Sequence, residues 1–564
     1  MNRVDQETIQ EKRPDPAGGE PSTWSPAGAW RRWGWPERGV VLAAVLLAAY
    51  CALQIVLLRF GRDQGIYAVV ANAVLDGGMP YREAWDFKPP GIFVVYTLAR
   101  GLLGRNEWGI RLVETAGFLS LIPSFAVLTR RYLGDIGPGI LGGAFAVLIE
   151  AQLDFWHTAQ PESFGGLLTV WALVLTIRDV PNGDLGRGFW GRLFGAGVLL
   201  GAAGLMKPHL VGTCAVVAVY TLWKLRRQGR PGGTQVAVLG TLAAGASASF
   251  AACLGWFAAR GALGDLHQAL FVFAPGYAAT TWSRSSLVGF LYYGFQEWGT
   301  NLSSVVAIGM LLQIGLPRVR ATERELFWVV ISTAAIQVVG VALQSKFFQY
   351  HYGATLPLGA LIAGMGFWKA LAVAKRYETP GWAVLGAIAY VAFEGRAPVR
   401  DLAEPFSERA WERTKTLLTG DAAAREELAQ RFSSVADVHY PSNVRVATWL
   451  TQHTSAQDTV FIWGFEPFIY DAANRKPASR FIYNVPQRVT WENDRSRRLL
   501  LDDLARSRPK AIVVEHNDVF PVVTGNWNDS SRSLASFPEL QRIVDEDYEY
   551  ATTIQDFDLY LRKD

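Results

Sequence analysis

Apolar runs of membrane-spanning length recur along the first two thirds of the chain, separated by short polar segments. Five of these runs contain no charged residue, and they occupy residues 40–58, 163–177, 235–259, 326–345 and 352–368. Crossing the hydrocarbon core of a bilayer takes about 20 apolar residues. Each run is therefore a candidate transmembrane helix.

Shorter apolar runs complete the pattern, and each needs flanking residues to reach the length that crosses a bilayer. They lie at 136–149, 193–206, 208–223, 301–317 and 381–393, with a further run at 112–129 that only Glu114 interrupts. Together the runs predict about eleven transmembrane helices. The fold class expected from the pattern is a polytopic α-helical membrane protein.

Two segments after the first run are too short or too polar to span. Residues 64–75 carry apolar side chains at helical spacing, which predicts an amphipathic helix lying on the membrane. Residues 90–104 contain Arg100 and are short enough for an interfacial helix. The loop after the first span is thus predicted to hold interfacial helices.

Basic residues concentrate in alternate loops, as at Arg130-Arg131 and at Arg226-Arg227. The positive-inside rule places these loops in the cytoplasm. The other loops, and everything after about residue 398, are then external. We expect a multi-pass protein of the inner (plasma) membrane whose C-terminal part faces the periplasm or the exterior.

The C-terminal part is polar and alternates helix and strand patterns. Helices are predicted over 444–454 and 497–506, buried strands over 459–463 and 511–514, and a terminal strand pair over 550–562. This order predicts a small soluble α/β domain with a mixed sheet.

Three domains follow from these patterns. Residues 1–38 are rich in Pro, Gly and charge and are predicted to form a disordered cytoplasmic N-terminus. Residues 39–398 form the transmembrane domain, and residues 399–564 form the external α/β domain.

The cysteine positions and the absence of known binding motifs limit the ligands that the sequence predicts. All three cysteines fall inside predicted spans, so no disulfide framework is expected. The sequence has no G-x-G-x-x-G fingerprint, P-loop, C-x-x-C or H-E-x-x-H. Nothing indicates a nucleotide or nucleic-acid ligand, and a divalent metal is the one cofactor that the sequence leaves open.

Polar residues from five separate segments are predicted to converge on the external face, where they would meet the head groups of membrane lipids. These candidate site residues are Asp63, Arg82, Asp86, Lys88, His157, Glu162, Lys207, His209, Lys346, His351 and Tyr352.

Each candidate also has a structural interpretation. Asp63 begins the predicted helix 64–75 and could be its N-cap. Lys88, before Pro89-Pro90, could be an interfacial lysine whose ammonium reaches the head groups. Arg82 and Asp86 could pair with each other. The segments around Lys207 and Lys346 could be interfacial anchors.

The turn after the predicted third span has its own alternatives. Glu162 begins a helix and could cap it or compensate its dipole. His157 could ligate a metal, although the turn offers only one histidine and one acid as ligands. Arg111 and Glu114, three residues apart, are most simply an intrahelical pair.

Several short motifs follow one another along residues 40–370. They are Asp-Gln-Gly-x-Tyr-Ala at 63–68, Gly-Met-Pro-Tyr at 78–81, Asp-Phe-Lys-Pro-Pro-Gly at 86–91, Arg-Leu at 111–112, Gln-Pro-Glu at 160–162, Gly-Leu-Met-Lys at 204–207 and Lys-x4-Tyr-His-Tyr at 346–352. In this order they resemble the GT-C glycosyltransferases. More narrowly, the chain resembles the protein O-mannosyltransferase and aminoarabinose lipid A transferase superfamily, in its bacterial family-39-like branch.

The resemblance implies transfer of a sugar from a polyprenyl-phosphate carrier to a lipid, glycan or protein acceptor on the external face. It assigns the general base to Asp63 and a contact with the donor phosphate to Lys88. Relatives often have Asp-Glu where this chain has Asp63-Gln64. A second-carboxylate role and a divalent-metal requirement are therefore open.

Single-step attack by an acceptor hydroxyl would invert the anomeric centre and needs a base. The leaving lipid phosphate needs positive charge more than a proton. Residues predicted to contact the donor phosphate besides Lys88 are Arg82, Lys207, His209, Lys346, His351 and Tyr352. Residues predicted to contact the sugar, the acceptor or a metal are Asp86, His157 and Glu162.

Two other classes compete with this interpretation. A transporter or flippase would place binding residues near the bilayer midplane, whereas the predicted spans are nearly free of charge at their centres. A ligase for lipid-linked polymers uses similar chemistry on longer donors, and the sequence does not separate it from a glycosyltransferase.

Overall fold

The computed structural model describes residues 26–178, 180–181, 183–282, 285–318, 320–399, 404–435 and 438–563. These residues form a large helical bundle that continues into a smaller α/β domain.

Within the described residues, eight helical segments are long and apolar enough to cross a membrane. They are Trp35–Val56, Glu107–Leu133, Gly137–His157, Arg187–Met206, Pro208–Arg227, Gly232–Ala259, Glu323–Gln344 and Gln349–Glu394.

Three further helical features complete the predicted set. Pro161–Thr176 and Ser304–Gly315 are shorter apolar helices at predicted spans. The segment Gln349–Glu394 is interrupted at Glu378, whose φ of 50° is not helical, so it supplies the last two predicted spans. Every predicted span therefore corresponds to a helix, although Ser304–Gly315, with 12 residues, is too short to cross the hydrocarbon core by itself. The predicted fold class is confirmed.

The loop after the first span contains the helix Arg62–Leu75, hereafter the loop helix, and the helix Gly91–Leu103. The second has 13 residues, a length of about 20 Å. It is too short to cross about 30 Å of hydrocarbon.

The prediction that the loop helix lies on the membrane surface is wrong. Its first ten residues, 62–71, are all buried. Its outer face is covered by the α/β domain, which approaches so closely at Phe468 that a Cβ on Gly65 would lie 2.7 Å from that residue. Apolar spacing alone does not distinguish a lipid-facing surface from a domain interface.

A second group of short helices follows the helix Gly232–Ala259. Its members are Leu263–His267, the π-helical turn Gln268–Phe273, Ala274–Trp282 and Leu287–Thr300. The first three contribute side chains to the central cavity described below.

The α/β domain begins with the helices Phe406–Thr419 and Ala422–Phe432 and a small hairpin of β1 (Ser434–Val435) and β2 (Val438–His439). Its main sheet contains β3 (Thr459–Trp463), β4 (Lys476–Pro477), β5 (Ala511–Glu515), β6 (Tyr548–Ile554) and β7 (Phe557–Arg562).

The strand order is β4-β3-β5-β7-β6. Strands β4, β3 and β5 are parallel, and β7 and β6 join antiparallel, so the predicted mixed sheet is confirmed. Its helices are Tyr440–His453, Phe468–Ala473, Val485–Arg488, Asn493–Ser507, Pro521–Thr524, Ser530–Ala535 and Pro538–Asp547.

The N-terminus predicted to be disordered covers residues 1–38, and residues 1–25 of it lie outside the described residues. Among the described residues of this segment, Pro26–Arg32 is a helix, and the next helix begins at Trp35. Trp33 packs on Trp368, with ring centroids 5.8 Å apart. The predicted boundary at 398/399 adjoins residues 400–403, which also lie outside the described set.

Candidate active site

A central cavity of about 550 Å³ lies where the loop helix, the ends of several transmembrane helices and the α/β domain meet. Five of the predicted site residues line it: Asp63, Lys88, Lys207, Lys346 and His351. These residues come from four segments far apart in sequence. The structure therefore brings five of the eleven candidate residues to one cavity, and the other six do not line it.

Asp63 and Lys88 form an ion pair in the wall of this cavity. The Lys88 Nζ lies 3.0 Å from Asp63 Oδ1, and the side chains are only 13% and 11% exposed. The Asp63 Oδ2 accepts a hydrogen bond of 3.2 Å from the side-chain amide of Gln160. Asp63 is not the helix N-cap, a position that Gly61 occupies.

The pair fixes the charge of both groups. Burial acts to raise the pKa of Asp63, but the charge of Lys88 and hydrogen bonds from Lys88 and Gln160 outweigh it, so the pKa lies below its ordinary value. Burial acts to lower the pKa of Lys88, and the charges of Asp63 and Asp86 reverse that shift and raise it. At neutral pH the cavity wall therefore presents a carboxylate beside an ammonium.

Asp86 is a second acid behind Lys88. Its Oδ2 lies 4.0 Å from Lys88 Nζ, and its Oδ1 accepts a 2.6 Å hydrogen bond from the hydroxyl of Tyr483 in the α/β domain. Asp86 is fully buried. Lys88 is thus held between two carboxylates, only one of which faces the cavity.

A second ion pair lies on the transmembrane side. The Lys207 Nζ lies 3.0 Å from Glu162 Oε1, and His351 Nε2 lies 3.9 Å from the same oxygen. The other ring nitrogen of His351 is 2.7 Å from the carbonyl oxygen of Lys346. Glu162 thereby links Lys207 to the segment 346–351, which carries Lys346, the third lysine of the cavity wall.

Lys346 is oriented by uncharged groups from two domains. Its Nζ donates to Thr280 Oγ1 at 3.2 Å and to the carbonyl oxygen of Val522 in the α/β domain at 2.8 Å. It also lies 4.1 Å from the ring centroid of Tyr277. Three ammonium groups therefore line one cavity.

Most of the remaining cavity wall is apolar and continues to the outer surface of the bundle. Phe250, Leu254, Leu270 and Phe271 line it. Leu254 and Phe271 are 49% and 67% exposed. The cavity therefore has a polar end and an apolar end that reaches the outer surface of the protein, where Leu254 belongs to the candidate membrane-spanning helix Gly232–Ala259.

The remaining predicted site residues have other partners. Arg82 pairs with Asp265 at 2.9 Å and donates to backbone carbonyls at the end of the helix Gly232–Ala259. The ring of His157 stacks on Trp156, with centroids 5.7 Å apart. His209 Nδ1 lies 2.6 Å from Gln344, and the Tyr352 hydroxyl donates to the carbonyl of Gly294.

The side chain of Gln64 caps the loop helix and joins it to the turn at residues 155–158. Its side-chain oxygen accepts from the amide of Gly61 at 3.0 Å and caps the loop helix. Its side-chain nitrogen donates to the carbonyls of Phe155, Trp156 and Thr158. A carboxylate has no proton to donate to these carbonyls. A glutamate at position 64 would therefore lose these hydrogen bonds, and Asp63 is the one acid of this pair of positions.

Among the described residues, no group of three or more His, Cys, Asp or Glu side chains is placed to hold a metal ion. The carboxylates of Asp63, Asp86 and Glu162 are instead paired with lysines.

Sequence reasoning missed the residues that the α/β domain contributes. Tyr483 holds Asp86, and Glu466 pairs with Arg62 at 2.6 Å. The Arg62 guanidinium also lies 4.6 Å from the ring centroids of both Phe465 and Phe520. No local signal marks these residues, since they meet the site from about 400 positions away.

Arg62 should be a major stabilising link between the two domains. Arg62→Gln leaves Glu466 buried without its charged partner, and breaking such a pair costs about 3–5 kcal/mol. We expect a clearly lower apparent melting temperature and faster proteolysis between the domains. The control is Arg82→Gln, whose ion pair with Asp265 is about one-third exposed and contributes roughly 1 kcal/mol or less. Equal effects of the two substitutions would show that Arg62 does not link the domains.

The bundle of apolar helices with its C-terminal α/β domain defines a polytopic membrane protein with the GT-C fold that the sequence predicted. The structure is similar to that of ArnT from Cupriavidus metallidurans in the apo state, with a TM-score of 0.54 and 14% identity over 95% of this chain and 98% of that one. ArnT bound to undecaprenyl phosphate gives a TM-score of 0.52 and 16% identity, covering 93% and 98%.

The oligosaccharyltransferase of Archaeoglobus fulgidus in the apo form gives a TM-score of 0.44 at 13% identity, covering 95% of this chain and 75% of that one. No family model and no curated protein matches the sequence. At these identities the similarity to ArnT establishes a shared fold, and the activity depends on the residues of the site.

Proposed function

We propose that the protein is an inverting glycosyltransferase that moves a sugar from a polyprenyl-phosphate carrier to an acceptor hydroxyl at the external membrane face. One observation carries the proposal. The cavity joins a carboxylate–lysine pair and two more lysines to an apolar wall that reaches the outer surface of the protein. A donor of this class has the matching parts, namely an anionic phosphate and a long apolar chain.

In this mechanism the Asp63 carboxylate takes the proton of the acceptor hydroxyl as the new bond to the anomeric carbon forms. The bond between that carbon and the phosphate oxygen breaks on the opposite face, and polyprenyl phosphate leaves. Lys88, Lys207 and Lys346 stabilise the charge that develops on the leaving oxygen. A single displacement of this kind inverts the anomeric configuration.

Donor binding would also strengthen the base. In the unliganded site Lys88 holds the pKa of Asp63 low, which makes the carboxylate a weak base. A phosphate that takes over part of the Lys88 interaction adds negative charge next to Asp63 and raises its pKa toward the working pH. The acid therefore becomes a better proton acceptor only when the donor is present.

The protonation states give a pH prediction. Because the pKa of Asp63 lies below its ordinary value and that of Lys88 lies above its own, the free enzyme keeps both charges across the neutral range. We expect kcat/KM for transfer, which reports on the free enzyme, to stay within about twofold between pH 7 and pH 5. A tenfold fall over this interval would show that Asp63 is protonated there and that Lys88 does not hold its charge.

The donor class can be tested by binding alone. Purified full-length protein in detergent is titrated with undecaprenyl phosphate and with undecaprenol, which has the same chain and no phosphate. We expect the phosphate to bind at least tenfold tighter. Lys207→Met and Lys346→Met should each weaken phosphate binding by roughly tenfold and leave undecaprenol unchanged.

Lys415→Met is the matched control, because this lysine lies on the exposed surface of the helix Phe406–Thr419. Equal affinity for undecaprenyl phosphate and undecaprenol would contradict a phosphate site in the cavity. Weakening of both ligands by the same factor would indicate a general loss of structure.

A further inference from the structure

A second cavity of about 820 Å³ lies between the helices Pro208–Arg227 and Glu323–Gln344. It is a groove on the bundle surface, separate from the central cavity, with which it shares no lining residue. Much of its wall is apolar and includes Val219, Val329 and Ile336. The proposed glycosyl transfer does not use this groove.

The groove and the central cavity lie at opposite ends of the same two helices. Lys207 and Gln344 line the central cavity, whereas Arg227 and Arg324 line the groove. Twenty residues separate the ends of each helix, and at about 1.5 Å per residue this is about 30 Å, the thickness of the hydrocarbon core. The arginine end of the groove therefore opens at the other membrane surface.

The arginine end of the groove carries positive charge and aromatic rings. Trp223 and Trp328 line it, and the guanidinium of Arg227 lies 4.4 Å from the ring centroid of Trp223. Tryptophan is enriched at the depth of lipid head groups. The aromatic pair thus marks the depth at which a head group would sit.

The charge at this end is not neutralised by the neighbouring acid. Glu325 accepts a 2.6 Å hydrogen bond from the Tyr220 hydroxyl and pairs with Lys224 at 2.7 Å. Arg227 and Arg324 are both exposed, and neither has a carboxylate partner among the described residues. Two guanidinium charges remain available to an anion.

We propose that this groove binds an anionic phospholipid of the leaflet opposite the central cavity. Its phosphate would lie at Arg227 and Arg324, which suit bidentate contacts with phosphate oxygens. One acyl chain would lie along the groove toward Ile336. The distance from Arg324 to Ile336 along the helix is about 18 Å, close to half of a hydrocarbon core of about 30 Å. The proposal does not depend on the transferase activity.

Native mass spectrometry of the full-length protein tests the site. The wild type is titrated with phosphatidylglycerol and with phosphatidylcholine of the same acyl chains. We expect a tighter site for phosphatidylglycerol alone. Losing two arginine contacts at about 1 kcal/mol each should weaken that site roughly 30-fold in the double variant Arg227→Gln/Arg324→Gln.

The matched control removes two exposed arginines that do not line the groove, with Arg226→Gln/Arg376→Gln. This pair should change the affinity less than twofold. Equal weakening by both pairs would mean that only the overall charge of this face matters. Equal binding of the two lipids would mean that the groove takes any annular lipid.

A competition experiment distinguishes a lipid ligand from a soluble phosphate ligand. Glycerol 3-phosphate carries the anion without the acyl chains, and we expect it not to displace phosphatidylglycerol at millimolar concentration. Displacement would overturn the proposal in favour of a phosphate site that needs no lipid. Self-association that fills the groove would overturn it as well, and it would appear as a concentration-dependent dimer lost in the same double variant.

Discussion

Replacing Asp63 by asparagine should reduce transfer by about 10²–10⁴-fold while leaving the donor bound, since removal of a positioned general base has effects of this size. Asparagine has nearly the same shape, and its side-chain oxygen can still accept a hydrogen bond from Lys88. The loss should therefore fall on kcat, measured as sugar transfer in reconstituted liposomes, with little change in the affinity for undecaprenyl phosphate.

Two variants test whether the effect belongs to Asp63. Asp76→Asn removes an exposed acid at the other end of the loop helix, where it pairs with Arg105, and should be fully active. Asp86→Asn removes the buried acid that Tyr483 holds, and should cost less than Asp63→Asn. If Asp63→Asn is active and Asp86→Asn is inactive, the base has been assigned to the wrong carboxylate.

Replacing Lys88 by methionine should lower kcat/KM for transfer by roughly 10²–10³-fold, the usual effect of losing one preorganised group that stabilises developing charge. Methionine fills a similar volume without a charge. Both the affinity for the donor phosphate and kcat should fall, because the phosphate is bound in the ground state and gains charge in the transition state.

A pH profile of the same variant separates a chemical role for Lys88 from a structural one. Without the ammonium, burial dominates the environment of Asp63 and raises the pKa of its carboxyl. The residual activity of Lys88→Met should therefore fall as the pH drops from 7 to 5, unlike that of the wild type. Lys88→Arg should restore the flat profile. A flat profile in Lys88→Met would show that Lys88 does not control Asp63.

The helical part of the fold could be predicted because its signal is local. The long spans contain enough apolar residues to be recognised from the run alone, and strand β3 at Thr459–Trp463 was predicted at its observed bounds from one buried run. Strand β4 at Lys476–Pro477 was not predicted. It has two residues and no apolar pattern, and it exists only because β3 offers it an edge.

The site was predictable where charge identifies a residue. Asp63, Lys88, Lys207 and Lys346 were selected as charged residues of the loops predicted to be external, and they line the cavity. Arg82 met the same criterion and pairs with Asp265 outside the cavity. Tyr483 and Gln160 could not be found in this way, because their roles depend on what they contact: Asp86 in one case and Asp63 in the other. Burial of the loop helix was missed for the same reason, since its covering domain is remote in sequence.

The most direct test of the central claim is transfer from a panel of radiolabelled polyprenyl-phosphate sugars in liposomes, comparing wild type with Asp63→Asn, over a range of lipid, glycan and protein acceptors. We expect the wild type to transfer one sugar with inversion and to release the polyprenyl phosphate. Asp63→Asn should bind the same donor without turnover. Full activity of Asp63→Asn, or a wild type that moves the intact donor across the bilayer without cleaving it, would contradict the account.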